Sequence, residues 1–157
     1  MAVVKRRAVR VLLLDGQGRI LLLHGLDPAV PGVSWWITPG GGVEPGENLR
    51  QAALRELAEE LEPVEVELGA LVAYGTTAFS YQGQEFEQEQ WFYLARSSRT
   101  DVGPARSGAP EHARLLGLRW WSLAELRVTG ETVYPVGLVG LLERIATGGP
   151  PVQPVRL

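Results

Sequence analysis

The stretch WITPGGGVEPGENLRQAALRELAEE, Trp36 to Glu60, joins a glycine-rich loop to a segment with acids on one side. Asn48 is a favourable N-cap, and Gln51 three residues on completes a capping-box variant, so a helix is predicted from there. Pro63 disfavours the α conformation at Glu62 and is expected to set the end. At about 100° per residue, with Glu56 as origin, Glu59 falls at about −60° and Glu60 at about +40°. All three carboxylates therefore share one arc and can converge on one point. Ala53, Leu54, Leu57, Ala58 and Leu61 fill the next arc, the apolar stripe expected to dock the helix on a sheet, with the acids at its margin.

Like charges at i,i+4, as in Glu56 and Glu60, cost an exposed helix about 0.2–0.5 kcal/mol. A bound divalent cation reverses that sign. Oxygen ligands with no thiolate or imidazole nearby favour Mg²⁺ first and Mn²⁺ or Ca²⁺ next. Glu47 adds a fourth acid just before the helix, and Gly40-Gly41-Gly42 lets backbone approach a phosphate or a metal without a β-carbon in the way. The loop is neither a GxGxxG fingerprint nor a P-loop, since no Lys-Ser/Thr follows it. A solvated helix face is the usual explanation of a charge run; the glycine loop, Arg55 and the spacings argue against it here.

Around this segment lie 157 residues, enough for one domain, predicted over 1–147 with 148–157 as a flexible tail. Hydrophobic residues make up 45%, charged residues 21%, and the net charge is −3, so neither disorder nor nucleic-acid coating is implied. Partners are expected to be small molecules, with no nucleic-acid duplex and no membrane. The absence of cysteine removes disulfides, thiolate zinc sites and thiol catalysis, and the cytoplasm is the expected compartment. Lys5, Arg6 and Arg7 precede an apolar run, but Asp15 cuts it short of a signal peptide.

Residues 8–14 and 19–24 read as a hairpin about Asp15-Gly16-Gln17-Gly18. Further strands are predicted at 35–38, 64–73, 77–81, 85–95 and 115–121. Ser122 caps a short helical turn, and 136–146 suits a closing amphipathic helix. Strands interspersed with helices predict a mixed sheet with helices on its faces, an α/β architecture.

Gly41, Glu47 and Arg55-Glu56-Leu57-Ala58-Glu59-Glu60 together resemble the Nudix box, G-x5-E-x7-R-E-U-x-E-E-x-G-U, through Glu60. Trp36 before Pro39-Gly40-Gly41 and the late Trp120-Trp121-Ser122-Leu123-Ala124-Glu125-Leu126 are also similar to the family, so the resemblance covers nearly the whole chain. It departs at Glu62, where the family has Gly, and at Pro63, where it has an aliphatic residue.

The resemblance implies an α/β/α sandwich and a divalent-metal-dependent hydrolase that cleaves the pyrophosphate bond of a nucleoside diphosphate linked to another moiety. It implies Glu56, Glu59 and Glu60 as metal ligands, Glu47 and the Gly40 carbonyl as further ones, and Arg55 as the group that orients the cluster. Glu56 or a loop acid, of which Glu111 is the candidate, would activate water, and a homodimer would be the assembly. A different class is a catalytically weak Nudix-like nucleotide-binding or sensor module, whose usual mark is loss of the acids. An isopentenyl-type isomerase on the same scaffold asks for a cysteine.

Trp35, Phe79 and Tyr81 are candidates to stack a base, although core packing is the commoner fate of aromatics. Glu85, Glu87 and Glu89 alternate along a strand, and Glu89 is within reach of the metal site in this reading. His24 and His112 read as structural or surface groups. Of Trp120 and Trp121, one is expected inward and one outward. Specificity is assigned to loops 25–35, 74–84 and 96–114.

Overall fold

The computed structural model describes residues 2–99, 101–104 and 115–157. In chain order its elements are β1 (Val4–Leu14), β2 (Ile20–Leu26), β3 (Ser34–Ile37), β4 (Gly40–Gly42), α1 (Leu49–Glu60), β5 (Val66–Tyr81), β6 (Gln84–Ser97), β7 (Leu115–Trp121), α2 (Leu123–Val128), β8 (Val133–Tyr134), α3 (Leu138–Gly148) and β9 (Val155–Arg156). The strands form one mixed sheet, β8-β3-β2-β1-β6-β5-β9, with β4 paired to β1 and β7 to β2. The pairs β1–β6, β3–β8 and β5–β9 are parallel and the rest antiparallel.

Because side chains alternate along a strand, β1 feeds both faces. Val9, Val11 and Leu13 pack with Ala52, Ala53 and Leu57 of α1, while Leu12 and Leu14 pack with Leu138, Leu141, Leu142 and Ile145 of α3. The result is the α/β/α sandwich that the sequence predicts. With both faces covered, Trp120 is not the outward partner of Trp121: Trp121 is buried on the α3 side, and Trp120 packs against the α1 cluster.

The β1–β2 hairpin turns where expected, and its lock is Asp15 more than the glycines. The Asp15 carboxylate accepts from the Gln17 and Arg19 amides and from Arg19 Nε, at 2.9, 2.9 and 2.8 Å. Two predicted strands, 64–73 and 77–81, are one: β5 runs unbroken through Tyr74-Gly75-Thr76, held by the ladder to β6. Residues 74–81 are therefore sheet and not a specificity loop.

The tail differs most from expectation. Val155 and Leu157 pack against the α3-side core, Pro151 is buried, and β9 pairs Ala73 with Val155 and Tyr74 with Arg156. The physical reason is the outer edge of β5, a row of backbone groups that the tail satisfies, with the Leu157 amide donating to Tyr74 O at 2.9 Å. A Cβ at Gly75 would stand 2.9 Å from Leu157 O, so this edge is open to the tail only as glycine. Gly75→Ala is expected to speed amide exchange at Leu157 roughly fivefold, the loss of about one hydrogen bond. Unchanged exchange measured by mass spectrometry would refute this docking.

Candidate active site

Helix α1 begins as its capping box dictates: the Asn48 side chain accepts from the Gln51 amide and the Gln51 side chain from the Asn48 amide. It ends at Glu60, before the restriction that Pro63 places on Glu62, because Leu61 is already extended and pairs with Pro104. Glu62, where the Nudix box has glycine, ties down the following loop. Its amide donates to Gly103 O at 2.9 Å, and its Oε1 accepts from the Gly103 amide at 2.8 Å and Arg99 Nη2 at 3.0 Å.

The buried face of α1 is Ala52, Ala53, Glu56, Leu57 and Glu60, while Leu54 and Ala58 are exposed. Glu56 and Glu60 thus lie within the buried arc and not at its margin, and Glu59 is the marginal one. The cause is β4. A Cβ at Gly41 would stand 2.5 Å from Glu56 Oε1, so only glycine lets the helix press its acids onto this strand. Gly40 has φ 140°, and a Cβ there would meet Val9 O at 2.1 Å.

The acids gather around Arg55 and the Gly40 amide in place of a single point. Arg55 Nε donates to Glu47 Oε2 at 2.6 Å, and Nη2 donates to Glu47 Oε1 at 2.9 Å and Gly42 O at 2.8 Å. Its Nη1 donates to Glu56 Oε1 at 3.1 Å and Glu59 Oε1 at 3.2 Å. Glu60 Oε1 accepts from the Gly40 amide at 2.8 Å, and Gly40 O accepts from Arg10 Nη1 at 3.3 Å. Hydrogen bonding to Arg55 holds the Glu47 carboxyl below its ordinary value, and the same bond leads those that push the Arg55 guanidinium up. Burial pulls Arg10 down, against the pull of Glu60 upward. Among the described residues, no three acidic or imidazole side chains form a ready metal-holding group. The donor set is nonetheless all oxygen, with four carboxylates and a carbonyl beside a glycine cradle, which fits a hard divalent ion.

Beside the acids opens a cavity of about 900 Å³. Glu56 and Glu60 line it, with Arg6 and Arg10 of the central strand β1 and with Trp35, Phe79, Tyr81 and Phe86. The three aromatics singled out in the sequence all line it. Glu89 is exposed and not part of the lining; β6 turns Phe86, Gln88, Gln90 and Phe92 inward instead. That face was legible, because two glutamines stand between two phenylalanines at alternate positions. Arg10 and Leu157 carried no such signal. His24 is structural, stacked on Trp36 at 4.3 Å with Nε2 3.0 Å from Ser34 Oγ. Glu111 and His112 lie outside the described residues.

The NUDIX domain family model matches residues 4–136. The chain belongs to the Nudix family. Among its Nudix relatives is an RNA pyrophosphohydrolase of Roseobacter denitrificans, 35% identical over 132 residues that span 77% of this chain and 79% of the relative. A putative 8-oxo-dGTP diphosphatase of Bacillus subtilis is 32% identical over 116 residues, 74% of this chain and 66% of that one. A NUDIX hydrolase from Nitrosomonas europaea shares the fold, with TM-score 0.70 and 21% identity over 100% of this chain and 81% of that chain. Family and relatives make this Nudix protein a hydrolase of pyrophosphate bonds, in a family that works with divalent metals.

Proposed function

We propose that this Nudix hydrolase cleaves, with Mg²⁺, the phosphoanhydride bond of a nucleoside diphosphate linked to another moiety. The observation that carries this reading is one cavity lined by both carboxylates and aromatic rings. Its volume suits a ligand of nucleotide size. Glu56, Glu59 and Glu60, with Glu47 and the Gly40 carbonyl, are the residues that would hold the metal. Bound there, it would offset charge on the diphosphate oxygens and lower the pKa of a bound water.

The remaining work belongs to the chain. Arg55 fixes three carboxylates in one orientation, and Arg6 and Arg10 present positive charge in the cavity to phosphate oxygens. Glu56 is our candidate to take the proton of the attacking water, with Glu111 as the second candidate. Among the described residues no helix is long and apolar enough to cross a membrane, and we place the enzyme where nucleotides are abundant, in the cytoplasm.

A panel of nucleotides, nucleoside diphosphate sugars and 5′-triphosphorylated RNA, incubated with Mg²⁺ and read by product mass, tests the reading. Hydrolysis of at least one class, stopped by chelator and restored by Mg²⁺, is expected. Binding without turnover would favour the sensor module instead.

A further inference from the structure

The family match ends at residue 136, yet the wall of the cavity does not. Leu157, beyond that match, lines it together with Tyr134, Pro135 and Val136. The placement is built in. The β9 strap zips onto β5, the Leu157 amide is bonded to Tyr74 O, and Gly75 makes room for the Leu157 carbonyl. On the other side, a Cβ at Gly137 would stand 3.4 Å from Leu157 Cδ2, and the φ of 89° there suits glycine. Leu157 is thus wedged between β5 and the start of α3, and it joins the two into one wall. Gly75 itself does not line the cavity.

We propose that the β9 strap is the specificity-determining wall of the cavity, with Leu157 setting the size of the nucleoside group that fits against Phe79 and Phe86. This rests on the nucleotide reading above. An apolar side chain gives nothing to a phosphate, so its partner is a planar base, whose faces are apolar while its edges reach polar groups. On β5 the residue between Gly75 and Phe79 on this face is the small Thr77, paired with Gln88, and it leaves the space between strap and aromatic ledge open to such a ring.

Three variants test this. Leu157→Trp narrows the space, Leu157→Ala removes the contact, and Gly75→Ala disturbs the strap from outside the cavity. Steady-state kinetics on the matched purine and pyrimidine forms of whichever nucleotide class the wild type hydrolyses give the readout. Leu157→Trp is expected to lower the purine-to-pyrimidine ratio of kcat/KM about tenfold, the usual scale for a misfit of a carbon or two in an apolar pocket. Leu157→Ala and Gly75→Ala are expected to raise KM together, by about threefold to tenfold, with kcat within about twofold, the pattern of lost uniform binding. A merely structural strap would lower the melting temperature of all three and leave the purine-to-pyrimidine ratio at the wild-type value, and that result overturns the proposal. So does a shift in kcat with KM unchanged. If the wild type neither hydrolyses nor binds any nucleotide by calorimetry, the functional reading falls and this inference with it; hydrolysis with an unmoved ratio removes the inference alone.

Discussion

Glu60→Gln is expected to lose most turnover, roughly a hundredfold or more, while the protein stays folded. The fold survives because the amide oxygen of glutamine still accepts the Gly40 N–H bond, made at 2.8 Å in the native chain, so β4 keeps its place. What disappears is the negative charge, on a residue that is only 5% exposed and so little screened by water. On the proposed assignment a hard cation would lose a formal anionic ligand, and Arg10 loses the carboxylate that opposes the effect of its burial. Glu59→Gln is expected to follow, with a smaller structural footprint, since the Glu59 carboxylate is 31% exposed and bonded to Arg55 Nη1. Turnover measured against Mg²⁺ concentration, alongside thermal melting, checks both. Each variant should need more Mg²⁺ for half-maximal rate. Near-normal metal-dependent hydrolysis by both variants would sink the assignment of these acids.

The sequence makes visible whatever depends on local chemistry or on short spacings. The Asn48–Gln51 capping box, the Ser122 cap of α2 and the strand at 115–121 all stand where they are predicted. The acid cluster is visible for a related reason: residues within two turns of one helix share a face whatever the tertiary structure does. Periodicity says which residues lie together and is silent about what they lie against. Hence Leu54 and Ala58 read as apolar stripe but face solvent, because Gly41 admits Glu56 to β4 and turns the helix on its axis. The tail shows the same limit at longer range. Nothing in GGPPVQPVRL announces a strand, and β9 forms because β5, some eighty residues earlier in sequence, presents an unpaired edge with a glycine at the point of closest approach. The cavity lining was half legible, since alternation at Phe86, Gln88, Gln90 and Phe92 marks one face, but only the sheet order brings Arg6 and Arg10 of β1 beside it.

Arg55→Met is expected to harm stability and turnover together, because one guanidinium serves four acceptors on three segments. It donates to Glu47 before the helix, to Glu56 and Glu59 within it, and to the Gly42 carbonyl on β4. Removing it leaves like charges facing one another, with Glu56 only 4% exposed at its side chain. Breaking a buried ion pair costs about 3–5 kcal/mol. Arg55 and Glu59 are partly in water, at 22% and 31%, and screening reduces the expected loss to roughly 2–3 kcal/mol, a fall in melting temperature of roughly 5–10 °C. The pH dependence gives a sharper check. Arg55 holds the Glu47 carboxyl below the ordinary glutamate value near 4.5, so its contribution is present above that pH and fades as pH falls through the depressed folded value. The stability gap between wild type and variant should therefore be widest near neutrality and close on acidification below about pH 4.5. A gap that stays constant down to acid unfolding would mean that Arg55 acts by packing and not by charge. Arg55→Lys, which restores a cation without the fork that spans Glu47 and Gly42, should recover the acid limb but only part of the turnover. Mg²⁺ should raise the melting temperature of Arg55→Met by more than that of the wild type, since the metal then meets carboxylates that no guanidinium engages.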